Sequence, residues 1–241
     1  MTIIKLKTTA STNTYLRQFF EEKNPEELTA IVAEEQTAGR GQQGNHWESE
    51  TGKNLLCSVL LFPGFLPLTE NFLLSECIAL SVKKTLNLYV NGISVKWPND
   101  IYWNEKKIAG ILIENEVTGN RYSQSIAGIG ININQQQFRT YQPEAISLQQ
   151  ITGRKFDTSQ ILNELIDNIG SFYEKLKQGD YTSIEKSYHE SLFRKSGFHF
   201  YSDKNGLFSA KIETVSRDGF LHLITDLEEK RSYMFKEVQF R

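Results

Sequence analysis

The chain has 241 residues and a formal net charge of −2, from 27 Lys plus Arg against 29 Asp plus Glu. With 39% hydrophobic and 23% charged residues it reads as a soluble globular protein, without long disorder or a general polyanion-binding surface. The longest apolar stretch, residues 55–68, is broken by Ser58, Pro63, Gly64 and Pro67 and is too short to span a bilayer. Two cysteines, Cys57 and Cys77, make neither a disulfide framework nor a zinc site, so the expectation is a reduced, cytoplasmic protein without a bound metal.

Residues 2–6 read as a short strand. Ser11, Thr12 and Asn13 are each N-cap candidates for a helix carrying Tyr15, Leu16, Phe19 and Phe20. Residues 29–34 read as a buried strand and 55–62 as another, separated by a polar segment with four glycines. Residues 70–88 are helical, and 94–97, 101–103, 107–115 and 123–133 are strand candidates joined by Pro, Asn-Asp and Gly signals. Asp157 or Thr158 caps the clearest amphipathic helix, and a shorter helix spans 182–191. After about Leu192 the texture changes to short alternating runs, 198–201, 208–215, 220–224 and 233–240, split by glycines. That pattern predicts a small antiparallel barrel appended to an α/β domain.

Four segments carry chemistry. Gln36 to Trp47 is a Gly-rich polar loop in which Gly39 and Gly41 let backbone N–H groups approach a phosphate. Arg40 adds a planar cation, and Trp47 a face to stack on a base or shield the site. The loop matches neither the P-loop nor the dinucleotide fingerprint. Lys96-Trp97-Pro98-Asn99-Asp100 holds Trp97 extended before a turn that presents an amide and a carboxylate; by itself it reads as a hairpin corner. Lys107 leads into the apolar run 108–113. It is either an exposed strand-edge lysine or a cation held at the sheet end, aimed into a pocket. In residues 127–134, alternating glycines mark either a bulge or close approach by another group, and the strand rule places Asn132 and Asn134 on one face.

Taken together and in order, Ser11-Thr12-Asn13, Gln36 with Gly39-Arg40-Gly41 and Trp47, Lys96 to Asp100, Lys107 to Glu114, and Gly128 to Asn134 resemble the biotin protein ligases over roughly residues 8–135. The resemblance implies an α+β fold: a class II synthetase-like (biotin–lipoate ligase) catalytic domain with a central mixed sheet over residues 1–191. A C-terminal SH3-like barrel follows over 192–241. It implies activation of biotin as biotinyl-5′-AMP by ATP, supplied with Mg²⁺ as a substrate complex, and no metal held by the protein itself. The biotinyl group then passes to a lysine of a biotin carboxyl carrier protein.

By the same resemblance, Lys107 and Arg40 are catalytic. Ser11, Thr12, Asn13, Gln36, Gly39, Arg40, Gly41, Lys107, Gly110 and Gly128 serve biotin. Arg40, Gln42, Trp47, Asn99, Lys107 and Asn132 serve ATP or the adenylate. Gln42 stands where many family members carry arginine, which implies either other contacts on the adenylate or a leakier intermediate. The usual Gly-Glu-Val close of the barrel is replaced by Phe235-Lys236-Glu237-Val238. Only ten residues precede Ser11, so no DNA-binding domain is expected there. Membrane partners are not expected, and a homodimer paired through sheet edges is one expectation for the assembly. Two rivals remain: a lipoate ligase or octanoyl transferase of the same fold, without the Gly-Arg-Gly…Trp loop, and a non-catalytic biotin sensor, with no need for Lys107.

Overall fold

The structure is a computed structural model that describes residues 2–139 and 144–241. The elements run β1 (Ile3–Thr9), α1 (Thr12–Lys23), β2 (Ala30–Gln36), β3 (Leu55–Leu61), α2 (Phe72–Leu86), β4 (Ile93–Lys96), β5 (Asp100–Trp103), β6 (Lys106–Thr118), β7 (Arg121–Ile131), α3 (Leu148–Thr152), α4 (Thr158–Lys177) and α5 (Tyr181–Ser191). The C-terminal strands are β8 (His199–Asp203), β9 (Gly206–Val215), β10 (Leu221–Thr225), β11 (Lys230–Tyr233) and β12 (Gln239–Phe240). The first seven strands form one mixed sheet in the order β1-β2-β3-β7-β6-β5-β4, with only β1 and β2 parallel. The last five form an antiparallel sheet in the order β11-β10-β9-β8-β12.

The large sheet has two unlike faces. Side chains alternate along a strand, so β7 sends Ala127, Ile129 and Ile131 to one face and Ile126, Gly128 and Gly130 to the other. The first set joins Val59, Cys57 and Ile111 in the main core, which α2, α4 and α5 cover. Helix α2 is buried nearly all round, and α4 closes over it; Asp157 caps α4 by accepting from Ser159 N at 2.8 Å. On the second face only a small cluster, Leu16 of α1 with Ile31, Leu60 and Ile126, is packed. The remainder of that face is the floor of a cavity.

Three sequence expectations need correction. The run 233–240 is two strands, because residues 234–237 make a turn: Glu237 N donates to Met234 O at 3.1 Å and Lys236 has φ 71°. Strand β7 ends at Ile131, so Asn132 and Asn134 do not share a strand face. The Asn134 side chain instead bridges the backbone N and O of Phe156. Helix α3 was not expected, although Ser147 and Gln150 form a capping box readable as Ser-x-x-Gln.

The C-terminal sheet is held against the large unit by its β9–β10 turn. Phe72 N donates to Arg217 O at 2.9 Å and Trp97 Nε1 to Gly219 O at 3.0 Å. The Arg217 guanidinium bridges Glu70 and Glu185 at 3.1 and 2.7 Å.

Candidate active site

The cavity has a volume of about 820 Å³ and lies between α1, the loop 39–47, the β4–β5 corner and the end of the C-terminal sheet. Its floor is set by register. Ile31, Ser58, Gly128 and Leu112 lie abreast across four strands, and Ala33, Leu56, Gly130, Gly110 and Asp100 form the next row. Three glycines in adjacent places remove side-chain volume where other groups come close. A Cβ at position 128 would sit 2.3 Å from Asn13 Oδ1, and one at 130 would sit 2.4 Å from the Trp47 ring. At 110 it would sit 2.8 Å from the same ring.

One wall is the start of α1. Ser11 is extended and is the N-cap residue, but its side chain makes no capping bond. The free N–H of Thr12 is satisfied by Gln36 Oε1 at 2.8 Å, with the Thr12 hydroxyl 3.0 Å from the same oxygen. Ser58 Oγ lies 2.7 Å from Thr12 Oγ1 and 2.5 Å from Asn13 Oδ1. Amide oxygens only accept, so the Thr12 hydroxyl donates to Gln36 Oε1, and the single Ser58 proton is shared between Thr12 Oγ1 and Asn13 Oδ1. Asn13 Nδ2 then donates to Glu114 at 2.8 Å. Gln36 Oε1 thus accepts twice from Thr12, from its backbone N–H and from its hydroxyl. Ser58 was not among the sequence candidates because it sits inside an otherwise apolar, fully buried strand. A single hydroxyl in such a strand is the signal that would have found it.

The loop 39–47 is a narrow hairpin. Trp47 N donates to Gly39 O at 3.0 Å, Arg40 bridges to His46, and Gly41 N donates to Asn45 O at 2.7 Å. Gly41 therefore uses its N–H inside the loop, contrary to the expectation of a backbone phosphate cradle at that residue. Gly39 is required by the chain itself, since a Cβ there would sit 2.6 Å from Trp47 O. The hairpin lays the Trp47 ring on Gly110 and Gly130. Trp47 Nε1 and Gln42 Oε1 are buried without a partner among the described residues, which leaves each available to a ligand. Arg40 is exposed at the rim, where it bonds Glu114 at 3.0 Å and Thr14 at 3.3 Å.

The third wall carries the cation. Lys107 and Gly110 are three residues apart, so an unbroken strand would send them to opposite faces. Asp100 pairs with Gly110, Ile101 with Ala109, and Tyr102 with Lys107, leaving Ile108 as an extra residue. This bulge turns Lys107 onto the cavity face, where Nζ meets Asp100 Oδ1 at 2.6 Å and lies 5.6 Å from the Trp47 ring centre. Asn99 donates from Nδ2 to Ile111 O at 2.7 Å and so fixes the corner beside Asp100.

The structure thus brings Ser11, Thr12, Asn13, Gln36, Arg40, Gly41, Gln42, Trp47, Asn99, Lys107, Gly110 and Gly128 to one cavity. Asn132 is buried beyond β7 with its backbone bonded to Ile108 and Leu148, and Gly39 lies behind Trp47; neither lines the cavity. The segment 96–100 was singled out, but Lys96 and Asp100 were given no site role; Tyr102 and the C-terminal residues Phe240 and Arg241, which line the far end, were missed. Among the described residues, no cluster of three or more His, Cys, Asp or Glu could hold a metal ion. Cys57 and Cys77 are free and buried, and burial pushes the Cys57 thiol up to about 12.

The fold thus sets an ion-paired lysine over a glycine floor beside a tryptophan loop, in a cavity on one face of a mixed sheet. The chain belongs to the biotin/lipoate A/B protein ligase family, which matches residues 6–132. It is 33% identical over 217 residues to the bifunctional ligase/repressor BirA of Bacillus subtilis (strain 168), covering 87% of this chain and 66% of that protein. The chain thus spans about two thirds of the length of that relative. It is 29% identical over 167 residues to the biotin–[acetyl-CoA-carboxylase] ligase of Paracoccus denitrificans, covering 66% of this chain and 68% of that one. The biotin protein ligase from Aquifex aeolicus, solved in complex with biotin and ATP, superposes with a TM-score of 0.80 at 28% identity, over 100% of this chain and 98% of that one.

Proposed function

We propose that this chain is an ATP-dependent biotin ligase that makes biotinyl-5′-AMP and transfers the biotinyl group to a lysine of a carrier protein. The Lys107–Asp100 pair, turned onto a glycine floor beside the Thr12–Gln36 wall, carries the reading. In the first step a biotin carboxylate oxygen attacks the α-phosphorus of Mg-ATP. The bond to the bridging oxygen breaks, and pyrophosphate leaves with its electron pair. Two anions must meet, and Lys107 supplies the charge that makes their approach favourable. Asp100 holds the ammonium in place at 2.6 Å. Thr12, Gln36 and Asn13 offer fixed donors and acceptors to the ureido ring, which favours biotin over acids without it. Trp47 separates the two halves of the site and covers the mixed anhydride from water.

In the second step a carrier ε-amine attacks the anhydride carbonyl, an amide forms, AMP leaves, and the amine loses a proton. Mg²⁺ enters with the nucleotide. Gln42, with its unpartnered Oε1, belongs to the adenylate side. The large and small units act as catalytic domain (1–191) and C-terminal barrel (192–241). No helix among the described residues is long and apolar enough to cross a membrane. The reduced, buried thiols fit a cytoplasmic protein, and a homodimer through the free edge of β1 is compatible with the sheet order.

The test is purified protein with Mg-ATP and radiolabelled biotin, without carrier, run beside lipoate. Biotinyl-AMP from biotin alone is the expected product. Adenylate from lipoate instead would replace the reading with the sister activity, and tight biotin binding without turnover would make the chain a sensor.

A further inference from the structure

Glu114 closes the run that begins at Lys107, yet the proposed reaction gives it no task. Strand β6 sends alternate residues to the cavity face. Gly110 and Leu112, opposite Gly130 and Gly128, are followed there by Glu114, opposite Ile126. The Glu114 side chain is only 21% exposed, and one of its oxygens, Oε2, faces three donors. Asn13 Nδ2 lies at 2.8 Å, Arg40 Nη2 at 3.0 Å and Arg17 Nη2 at 3.5 Å. Two of these donors come from α1 and the third from the hairpin 39–47.

A carboxylate accepts and does not donate, so it dictates how the Asn13 amide lies. Leu112 O, 3.3 Å from Asn13 Nδ2, makes the same demand. With Nδ2 turned to β6, Oδ1 is left toward Ser58 and directly over Gly128, where a Cβ would meet it at 2.3 Å. The floor at Gly128 therefore presents an acceptor, which suits a ligand that brings an N–H. The same Glu114 oxygen draws Arg40 toward α1, where Thr14 Oγ1 lies 3.3 Å from Arg40 Nη2. One charge thus sets both the polarity of the Asn13 wall and the place of the arginine at the rim.

We infer that Glu114 is a positioning residue, acting through Asn13 and Arg40, that makes the cavity selective for an acid whose ring carries N–H donors. The inference rests on the proposed biotin reading and gives its selectivity a source. The competing account makes Glu114 one member of an ion cluster with Arg17 and Glu116 that serves only the strand. Surface clusters of that kind contribute little.

The two accounts separate in biotin affinity, measured by calorimetry without nucleotide. Glu114→Gln keeps the shape and removes the charge, and should weaken biotin binding roughly tenfold, the loss of one charge-assisted hydrogen bond. Arg17→Met opens the cluster but leaves Asn13 and Arg40 on Glu114, and should stay within about twofold. Two double-mutant cycles test the route, one pairing Glu114→Gln with Asn13→Ala and the other with Arg40→Met. In each, the cost of Glu114→Gln should shrink to about threefold or less once its partner is gone. Competition with biotin methylated at either ring nitrogen reads the selectivity directly. The preference for biotin over at least one of these analogues should fall about fivefold in Glu114→Gln.

Additive losses in both cycles would overturn the inference, as would an unchanged preference over both methylated analogues. So would the same loss in Arg17→Met, which would return Glu114 to the strand. A wild-type protein that binds biotin tightly but forms no adenylate would sink the proposed ligase and leave the Glu114 assignment standing. A working biotin ligase with additive cycles would sink the assignment alone.

Discussion

The two faces of strand β7 differ by one residue in the chain and by opposite packing logic. Ala127, Ile129 and Ile131 fill space against α2 and α4, whereas Gly128 and Gly130 leave it empty for Asn13 and Trp47. The packed face gains stability from volume; the open face gains a site from its absence. Substitutions on the first should therefore act on folding, and substitutions on the second on chemistry.

The largest test is on the open face. Lys107→Met should lower the rate of biotinyl-AMP formation on the order of 10³-fold, with the melting temperature nearly unchanged. A mild effect on adenylation would break the comparison, since the bulge would then position nothing of consequence. Next comes its opposite, Ile129→Ala, which leaves a cavity in the main core. It should destabilise by about 3 kcal/mol in denaturant unfolding, while the fraction still folded keeps its activity. Gly130→Ala returns to the open face. The added carbon meets the Trp47 ring at 2.4 Å, so the ring must move, and turnover should fall about thirtyfold with less than about 1 kcal/mol of stability lost.

The smallest test concerns a polar exception within the packed half. Glu76 of α2 is buried, one of its oxygens has no partner among the described residues, and burial, reinforced by Glu185, pushes its carboxyl up to about 8. The folded value lies above the unfolded one, so the native state holds the proton more tightly. Its contribution is complete below the ordinary carboxylate range and is lost as pH rises toward about 8. Glu76→Gln should flatten that decline and leave the protein more stable near pH 8, by on the order of 1–2 kcal/mol. Parallel urea midpoints at acid and alkaline pH measure the difference; equal slopes for both proteins would remove the buried acid from the account.

Much of the site was legible in the chain. The segments holding Gln36, Trp47, Asn99 and Lys107 were singled out by residue type, the roles of these residues and of Thr12 came from the family resemblance, and all five line one cavity. Their chemistry is local: a cap-forming run before a helix, a glycine loop, a Pro-Asn-Asp corner. Strands and helices followed from period and punctuation, so most boundaries differ by a residue or two. The exceptions are the turn at residues 234–237, the short α3, and three-residue extensions at the ends of β1 and β6 and at the start of β11.

Local periodicity says which residues of one strand share a face, but neighbouring strands decide where a face is broken. The bulge at Ile108 is a property of the β5–β6 pairing, and it alone puts Lys107 beside Gly110 and Asp100. Ser58 joins the Thr12–Asn13 hydrogen bonds from within β3, which runs beside β7 with Gly128 opposite it. Asn132 lies just past the end of β7, with its backbone bonded to Ile108 and Leu148, and does not line the cavity. Lys96 gained Phe240 from 144 residues further along the chain, through docking that no spacing rule reaches. The sequence by itself determined the elements and the chemical inventory, since both are set within a few residues. Only the tertiary structure decided which of those groups meet, because register, bulges and docking are set by contacts between distant segments.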